Sequence, residues 1–292
     1  MEEYSVLMSV YQKENPVFFR SSIESMMKQR LPFSDFVLVC DGPLGRELEE
    51  VIQWAEKCLK DRFQCVRLPE NRGLGKALAE GITHCKYDIV ARMDSDDLSR
   101  PERCLLQMEA METGGYDIVG CALEEFKEMP GDTGNIRLSP EHQEEIRVYA
   151  GKRNPFNHPC VMYRKSAVLK AGNYVDFPGF EDYCLWIRML QKGAKAYNLQ
   201  QVLLDMRSGE GMYDRRGGIS YIKSVLRFQK YLKCEGIIGT GTFLKNCAVR
   251  SIVGIIPGNL RKEFYRIFLR KKQRYGKNKK NSKKTCKSYS WY

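Results

Sequence analysis

The chain has no run of eighteen apolar residues, so nothing in it reads as a transmembrane helix. It has only three histidines, His84, His142 and His158, and no Cys-x-x-Cys pair among its eleven cysteines. A histidine-rich metal centre and a structural zinc site are therefore set aside. The cysteines are scattered through apolar stretches, where the side chain acts as a small hydrophobe. No basic start followed by an apolar stretch precedes them, because Met1-Glu2-Glu3-Tyr4 is acidic and runs straight into a strand. This pattern is expected of a protein of the reducing cytoplasm without a signal peptide, not of a disulfide scaffold. Acids are scarce at the far end. From Arg261 onward thirteen Lys or Arg accompany one acid, Glu263, and that excess equals the whole net charge of +12. The first 260 residues are close to neutral, so an anionic partner would be a partner of the tail.

What the chain does have is alternation. Candidate strands at Ser5–Val10, Asp35–Cys40, Phe63–Leu68, Ile89–Met93 and Asp117–Glu125 are separated by candidate helices at Val17–Lys28, Arg46–Lys60, Leu74–Cys85 and 101–112. Regular β-α alternation predicts an α/β fold with a mostly parallel, Rossmann-like sheet flanked by helices. Beyond Gly131 the pattern loosens. Helices are expected at Ser139–Ala150, Tyr183–Gln191 and Ile219–Cys234, and strands at His158–Tyr163, Ala194–Leu199 and Val202–Met206. The organisation predicted is a catalytic domain over 1–218, a helical region suited to membrane association over 219–270, and a basic disordered tail over 271–292.

Ligands of such sheets bind beyond the carboxyl ends of the strands. At one of these ends the apolar run Ile89-Val90-Ala91-Arg92-Met93 stops abruptly in Asp94-Ser95-Asp96-Asp97. Three carboxylates so close repel one another, and a hard divalent cation such as Mg²⁺ or Mn²⁺ relieves the crowding. The competing reading is an acidic turn that caps the next helix. A second strand end carries Asp41-Gly42-Pro43, on its own a common turn composition. Asn71-Arg72-Gly73-Leu74-Gly75-Lys76 opens a helix and can present backbone N–H groups to phosphate, although the spacing is not that of a P-loop.

In order and spacing these segments resemble the family 2 glycosyltransferases, the inverting GT-A enzymes of bacterial capsule, exopolysaccharide and O-antigen synthesis. The resemblance covers roughly residues 4–218. It rests on the first strand, Asp41-Gly42, Asn71 to Leu78, Asp94 to Asp97, His158-Pro159-Cys160-Val161-Met162-Tyr163 and Glu181-Asp182-Tyr183-Cys184-Leu185-Trp186-Ile187-Arg188. It implies a GT-A fold with a helical, basic C-terminal extension. It implies that Asp41 meets the nucleotide base, usually uracil, with Arg72 and Lys76 near the phosphates. Asp96 would ligate a Mn²⁺ or Mg²⁺ ion on the donor diphosphate, with Asp94 beside the ribose or sugar and as a second candidate ligand. Asp182, rather than Glu181, would be the general base for the acceptor hydroxyl. His158 and Trp186 would shape the acceptor pocket, where core packing is the other reading of Trp186 and a structural histidine that of His158. Relatives often carry an Arg-x-His after the strand at Val202–Met206. Here no histidine follows, so Arg207, Arg215 or Arg216 would neutralise diphosphate from a closing loop.

The implied activity is transfer of a single sugar from a nucleotide sugar, usually a UDP-sugar, to a glycan acceptor carried on a lipid. The Gln-x-x-Arg-Trp signature of processive synthases is absent. A sugar-phosphate nucleotidyltransferase would show a Gly-rich, Arg-containing loop where Tyr11-Gln12-Lys13-Glu14-Asn15-Pro16 stands. A non-catalytic GT-A-like protein, binding membrane or nucleic acid through its tail, is the remaining alternative, against which the intact acids argue. The apolar and basic residues from Ile252 to Arg270 suit an interfacial helix. Peripheral attachment to the anionic inner face of the plasma membrane is expected, with no nucleic acid.

Overall fold

A computed structural model describes residues 1–208 and 218–255. Arg215, Arg216 and the stretch 256–292 lie outside the described residues. The chain begins with β1 (Tyr4–Val10), α1 (Pro16–Met27), β2 (Asp35–Cys40), α2 (Arg46–Leu59), β3 (Phe63–Arg67), α3 (Leu74–His84) and β4 (Ile89–Met93). The Asn15 side chain caps α1 by accepting from the N–H groups of Val17 and Phe18, with Pro16 in the first turn. Then come β5 (Leu98–Ser99), α4 (Arg103–Gly114), β6 (Ile118–Phe126), β7 (Asn135–Arg137), α5 (Gln143–Ala150), β8 (Met162–Arg164), α6 (Lys165–Lys170), α7 (Glu181–Gln191) and β9 (Ala196–Arg207). Two further helices, α8 (Gly218–Cys234) and α9 (Thr240–Ile255), close the described chain.

All nine strands form one sheet in the order β3-β2-β1-β4-β8-β6-β9-β5, with β7 on β6. The β3-β2-β1-β4 half is parallel, and β9 runs parallel to β6. β8 lies antiparallel between β4 and β6, and it stitches the two halves together. Alternate residues of each strand feed two cores. Met8, Leu38, Ala91 and Val119 pack on one side against α1, α2 and α4. Leu7, Val39, Val90 and Ile118 pack on the other against α3, α5, α6, α7 and α8. The helix α8 belongs to this second core. Its Val225, Phe228 and Leu232 are fully buried, and the Phe228 ring stacks on Phe180 with centroids 4.5 Å apart.

Three local expectations change. The stretch His158–Tyr163 is not one strand: His158–Cys160 forms a 3-10 turn, and only Met162–Arg164 pairs. Proline at 159 cannot donate to a ladder. The two strands expected at 194–206 are one, β9, whose pairing with β6 slips between Cys121 and Leu123. The helix expected from Ser139 starts at Gln143, because the Ser139 and Pro140 carbonyls are taken by the Gln200 and Asn198 side chains instead.

Candidate active site

The acids that end β4 are separated by what surrounds each one. Asp94 ion-pairs through Oδ1 with the Arg92 guanidinium, and its Oδ2 lies 3.3 Å from His158 Nε2. Burial opposes its charge, but Arg92 and His158 outweigh that and hold its carboxyl well below the usual range. Asp97 is buried and accepts the Arg207 N–H at 2.7 Å, which ties the end of β9 to this loop. Its carboxyl is pushed well up by burial and by the neighbouring Asp96 and Asp94. Asp96 is half-buried. Burial, then Asp94 and Glu14, push it up to about 7 against the pull of its own backbone N–H and Arg207. Carboxylate oxygens of Asp94, Asp96 and Asp97 lie within 4.8 Å of one another. Hard oxygen donors that suppress one another's ionisation at this spacing fit a divalent cation.

Asp41, at the end of β2, uses both carboxylate oxygens on the phosphate-loop candidate. Oδ1 accepts the Arg72 N–H at 2.7 Å and Oδ2 the Gly73 N–H at 3.0 Å. Gly42 sits at φ +89°, and a Cβ there would meet the Asn71 nitrogen at 2.6 Å. The Asp-Gly turn is therefore a clamp on residues 71–73. Arg72 is exposed, and Lys76 pairs with Asp176 at 3.0 Å on the surface.

The first turn of α7 reaches this edge from the other side of the site. A Cβ at Gly75 would meet Glu181 Cγ at 2.7 Å, so the opening of α3 abuts the opening of α7. Glu181 is half-buried, and burial raises its carboxyl. Asp182 is 8% exposed, and its Oδ2 lies 3.8 Å from His158 Nδ1. One imidazole thus stands between Asp94 and Asp182. Trp186, one turn on, is fully buried between Phe156, Tyr163 and Tyr174. The acceptor-pocket reading of Trp186 gives way to its core-packing reading: the indole is fully buried on the inward helix face it shares with Asp182.

A family model described as glycosyl transferase family 2 matches residues 5–172, more than half of the chain. The chain belongs to glycosyl transferase family 2. It is 41% identical over 270 residues to an uncharacterized glycosyltransferase of Haemophilus influenzae, covering 92% of this chain and 100% of that one. It is 34% identical over 271 residues to the Escherichia coli UDP-Gal:alpha-D-GlcNAc-diphosphoundecaprenol beta-1,3-galactosyltransferase, with coverage of 92% and 97%. The amylovoran biosynthesis glycosyltransferase AmsE of Erwinia amylovora is 38% identical over 260 residues, with coverage of 87% and 94%. Among solved structures, the mannosyltransferase PcManGT from Pyrobaculum calidifontis, in complex with GDP-Man and Mn²⁺, matches with a TM-score of 0.60 at 15% identity over 90% of this chain and 79% of that one. That likeness is one of fold, and the fold is GT-A.

Within this family 2 transferase, Arg207 is placed at the acids. Its guanidinium lies 3.7 Å from the Phe18 ring centre and 4.5 Å from that of Phe126, and its Nε donates to the Asp96 carbonyl at 3.1 Å. Two residues were missed by the sequence reading. Glu14, whose Oε2 accepts the Ser95 hydroxyl at 2.7 Å, adds a fourth carboxylate near Asp96. Arg92 was passed over inside an apolar strand, although a charge within a fully buried run is itself a signal.

The raised carboxyl of Asp96 has a measurable consequence. A carboxyl pushed up to about 7 would carry a proton in part near neutral pH, and that proton would have to leave before the oxygen could ligate a cation. Mn²⁺ affinity is expected to weaken below pH 7, by up to about tenfold per unit, and to level off above it. Calorimetric Mn²⁺ titrations at pH 6 and pH 8 check this. Equal affinities at the two values would contradict a ligand role for Asp96.

Proposed function

We propose that this family 2 transferase inverts configuration as it moves one sugar from a UDP-sugar to a lipid-linked glycan, in the assembly of a bacterial surface polysaccharide. The observation that carries the reading is the pair of acidic stations on one edge of the sheet, Asp94 to Asp97 and Asp182, set apart by His158. The named substrates of the Escherichia coli galactosyltransferase and the pathway named for the Erwinia protein support the donor and acceptor class.

In this mechanism Asp182 accepts the proton of the acceptor hydroxyl, and the oxygen attacks the anomeric carbon opposite the leaving diphosphate. His158 holds the spacing between base and donor. Asp41 fixes the 71–73 loop by taking the Arg72 and Gly73 N–H groups, so that the positive end of α3 just beyond them faces the phosphates, with the base alongside. Arg72, Lys76 and Arg207 supply positive charge, and Arg215 and Arg216 are proposed to add to it. A divalent cation, Mn²⁺ or Mg²⁺, held by Asp96 and Asp94 would neutralise charge on the departing diphosphate. A panel of nucleotide sugars assayed with Mn²⁺ for nucleoside diphosphate release tests the reading. Release with a UDP-sugar that depends on an undecaprenyl-diphosphate-linked sugar is expected. No acceptor-dependent release with any donor would contradict it.

The reading also places the enzyme on the cytoplasmic face of the membrane as a peripheral protein. No helix among the described residues is long and apolar enough to cross a bilayer. Exposed Ile219, Leu226, Leu244, Val249 and Ile252 lie on α8 and α9, which also carry Lys223, Arg227, Lys230, Lys233, Lys245 and Arg250. Glu235 is the one acid of the stretch 218–255. Each cation near an anionic leaflet contributes roughly 1 kcal/mol, screened by salt. The full chain is expected to sediment with anionic vesicles at low salt, less so at high salt, and not with neutral ones. Equal recovery with both vesicle types would contradict charge-driven docking.

A further inference from the structure

Beneath the two acidic stations lies a buried polar cluster around Arg92, a residue to which the mechanism gives no part. Arg92 is fully buried on β4, and strand alternation turns it, like Val90, toward the layer of α7. It ion-pairs with Asp94, yet none of its three side-chain nitrogens makes a well-formed hydrogen bond among the described residues. In the same layer Asp182 Oδ1 and Trp186 Nε1 are also buried without a partner. The Tyr163 and Tyr174 hydroxyls pair with each other at 3.4 Å, and both rings lie against Trp186. A buried guanidinium with unmet donors is costly, and an apolar residue would fill the strand more cheaply. The charge therefore has a use beyond packing.

We propose that Arg92 is a positioning residue for sugar transfer, a single buried guanidinium that compensates and orients Asp94 on the donor side and Asp182 on the acceptor side. The proposal rests on the assignment of those two acids above. Its strength lies in connectivity. Arg92 meets Asp94 directly, and the chain Asp94–His158–Asp182 returns to the layer that Arg92 occupies. The Asp94 and Asp182 carboxylates both act electrostatically on the guanidinium. Ordered water can satisfy the remaining donors and Asp182 Oδ1 in such a polar pocket.

The test compares wild type, Arg92→Lys, Arg92→Met, Asp182→Asn and the double variant Arg92→Lys/Asp182→Asn. Thermal melts, UDP binding with Mn²⁺, and kcat and KM for the donor that the panel identifies are measured on each. Arg92→Lys is expected to fold, to lower kcat about 10- to 100-fold and to weaken UDP binding about 3- to 10-fold. Arg92→Met is expected to lose more of both. In the Asp182→Asn background the lysine substitution should change kcat less than about threefold while still weakening UDP binding. Losses of kcat that multiply in the double variant overturn the proposal, as does wild-type kcat in Arg92→Met. Failure of Arg92→Lys to fold assigns the residue to the fold alone and also overturns it. Absence of turnover in the wild type would instead fail the underlying assignment, and unchanged UDP binding in a folded Arg92→Lys would still overturn the donor arm.

Discussion

Asp182→Asn is expected to lower turnover by about two to four orders of magnitude while leaving UDP binding within a few-fold of wild type. The amide keeps the shape of the side chain and its place beside His158 but cannot take a proton. Asp182 is suited to the role by its setting. It opens α7, it is 8% exposed, and its Oδ2 lies 3.8 Å from His158 Nδ1. Calorimetry for binding and steady-state assays for turnover separate the two effects. Weakened UDP binding with unchanged turnover would remove Asp182 from the role and leave Glu181, the neighbouring carboxylate raised by burial, as the next to test.

Asp96→Ala is expected to abolish transfer and the Mn²⁺-dependent part of UDP binding. Asp94 shares its oxygens with Arg92 and His158, and Asp97 is buried on the Arg207 N–H, so Asp96 is the acid of the cluster most open to a ligand. Its removal also relieves the crowding that raises Asp97, so the variant should melt no lower than wild type in the absence of Mn²⁺. Full transfer by Asp96→Ala in the presence of a chelator would contradict the assignment.

Much of this was legible along the chain. The apolar run Ile89–Met93 was legible as a strand, and Asp94, Asp96 and Asp97 follow its carboxyl end with carboxylate oxygens within 4.8 Å of one another. The strand-helix alternation to Phe126 was legible because each element is long enough to show its period. Pairings between distant segments were not. β8 is three residues long, and its place between β4 and β6 is set by partners about 40 and 70 residues earlier. The clamp of Asp41 on Arg72 and Gly73 spans thirty-one residues, so the turn looked ordinary in isolation. Trp186 was misplaced because an amphipathic helix does not announce which face turns to the core. Its spacing of four from Asp182 carried the answer, since a buried acid and a buried indole on one face describe the inner wall of a site rather than its rim.

The central claim is a single displacement by an acceptor oxygen that Asp182 deprotonates. The measurement that tests it most directly is the anomeric configuration of the product, read by NMR from the coupling of the new anomeric proton. An α-linked nucleotide-sugar donor is predicted to give a β-glycoside, in wild type and in the residual activity of Asp182→Asn alike. An α-glycoside would mean retention and would contradict the account.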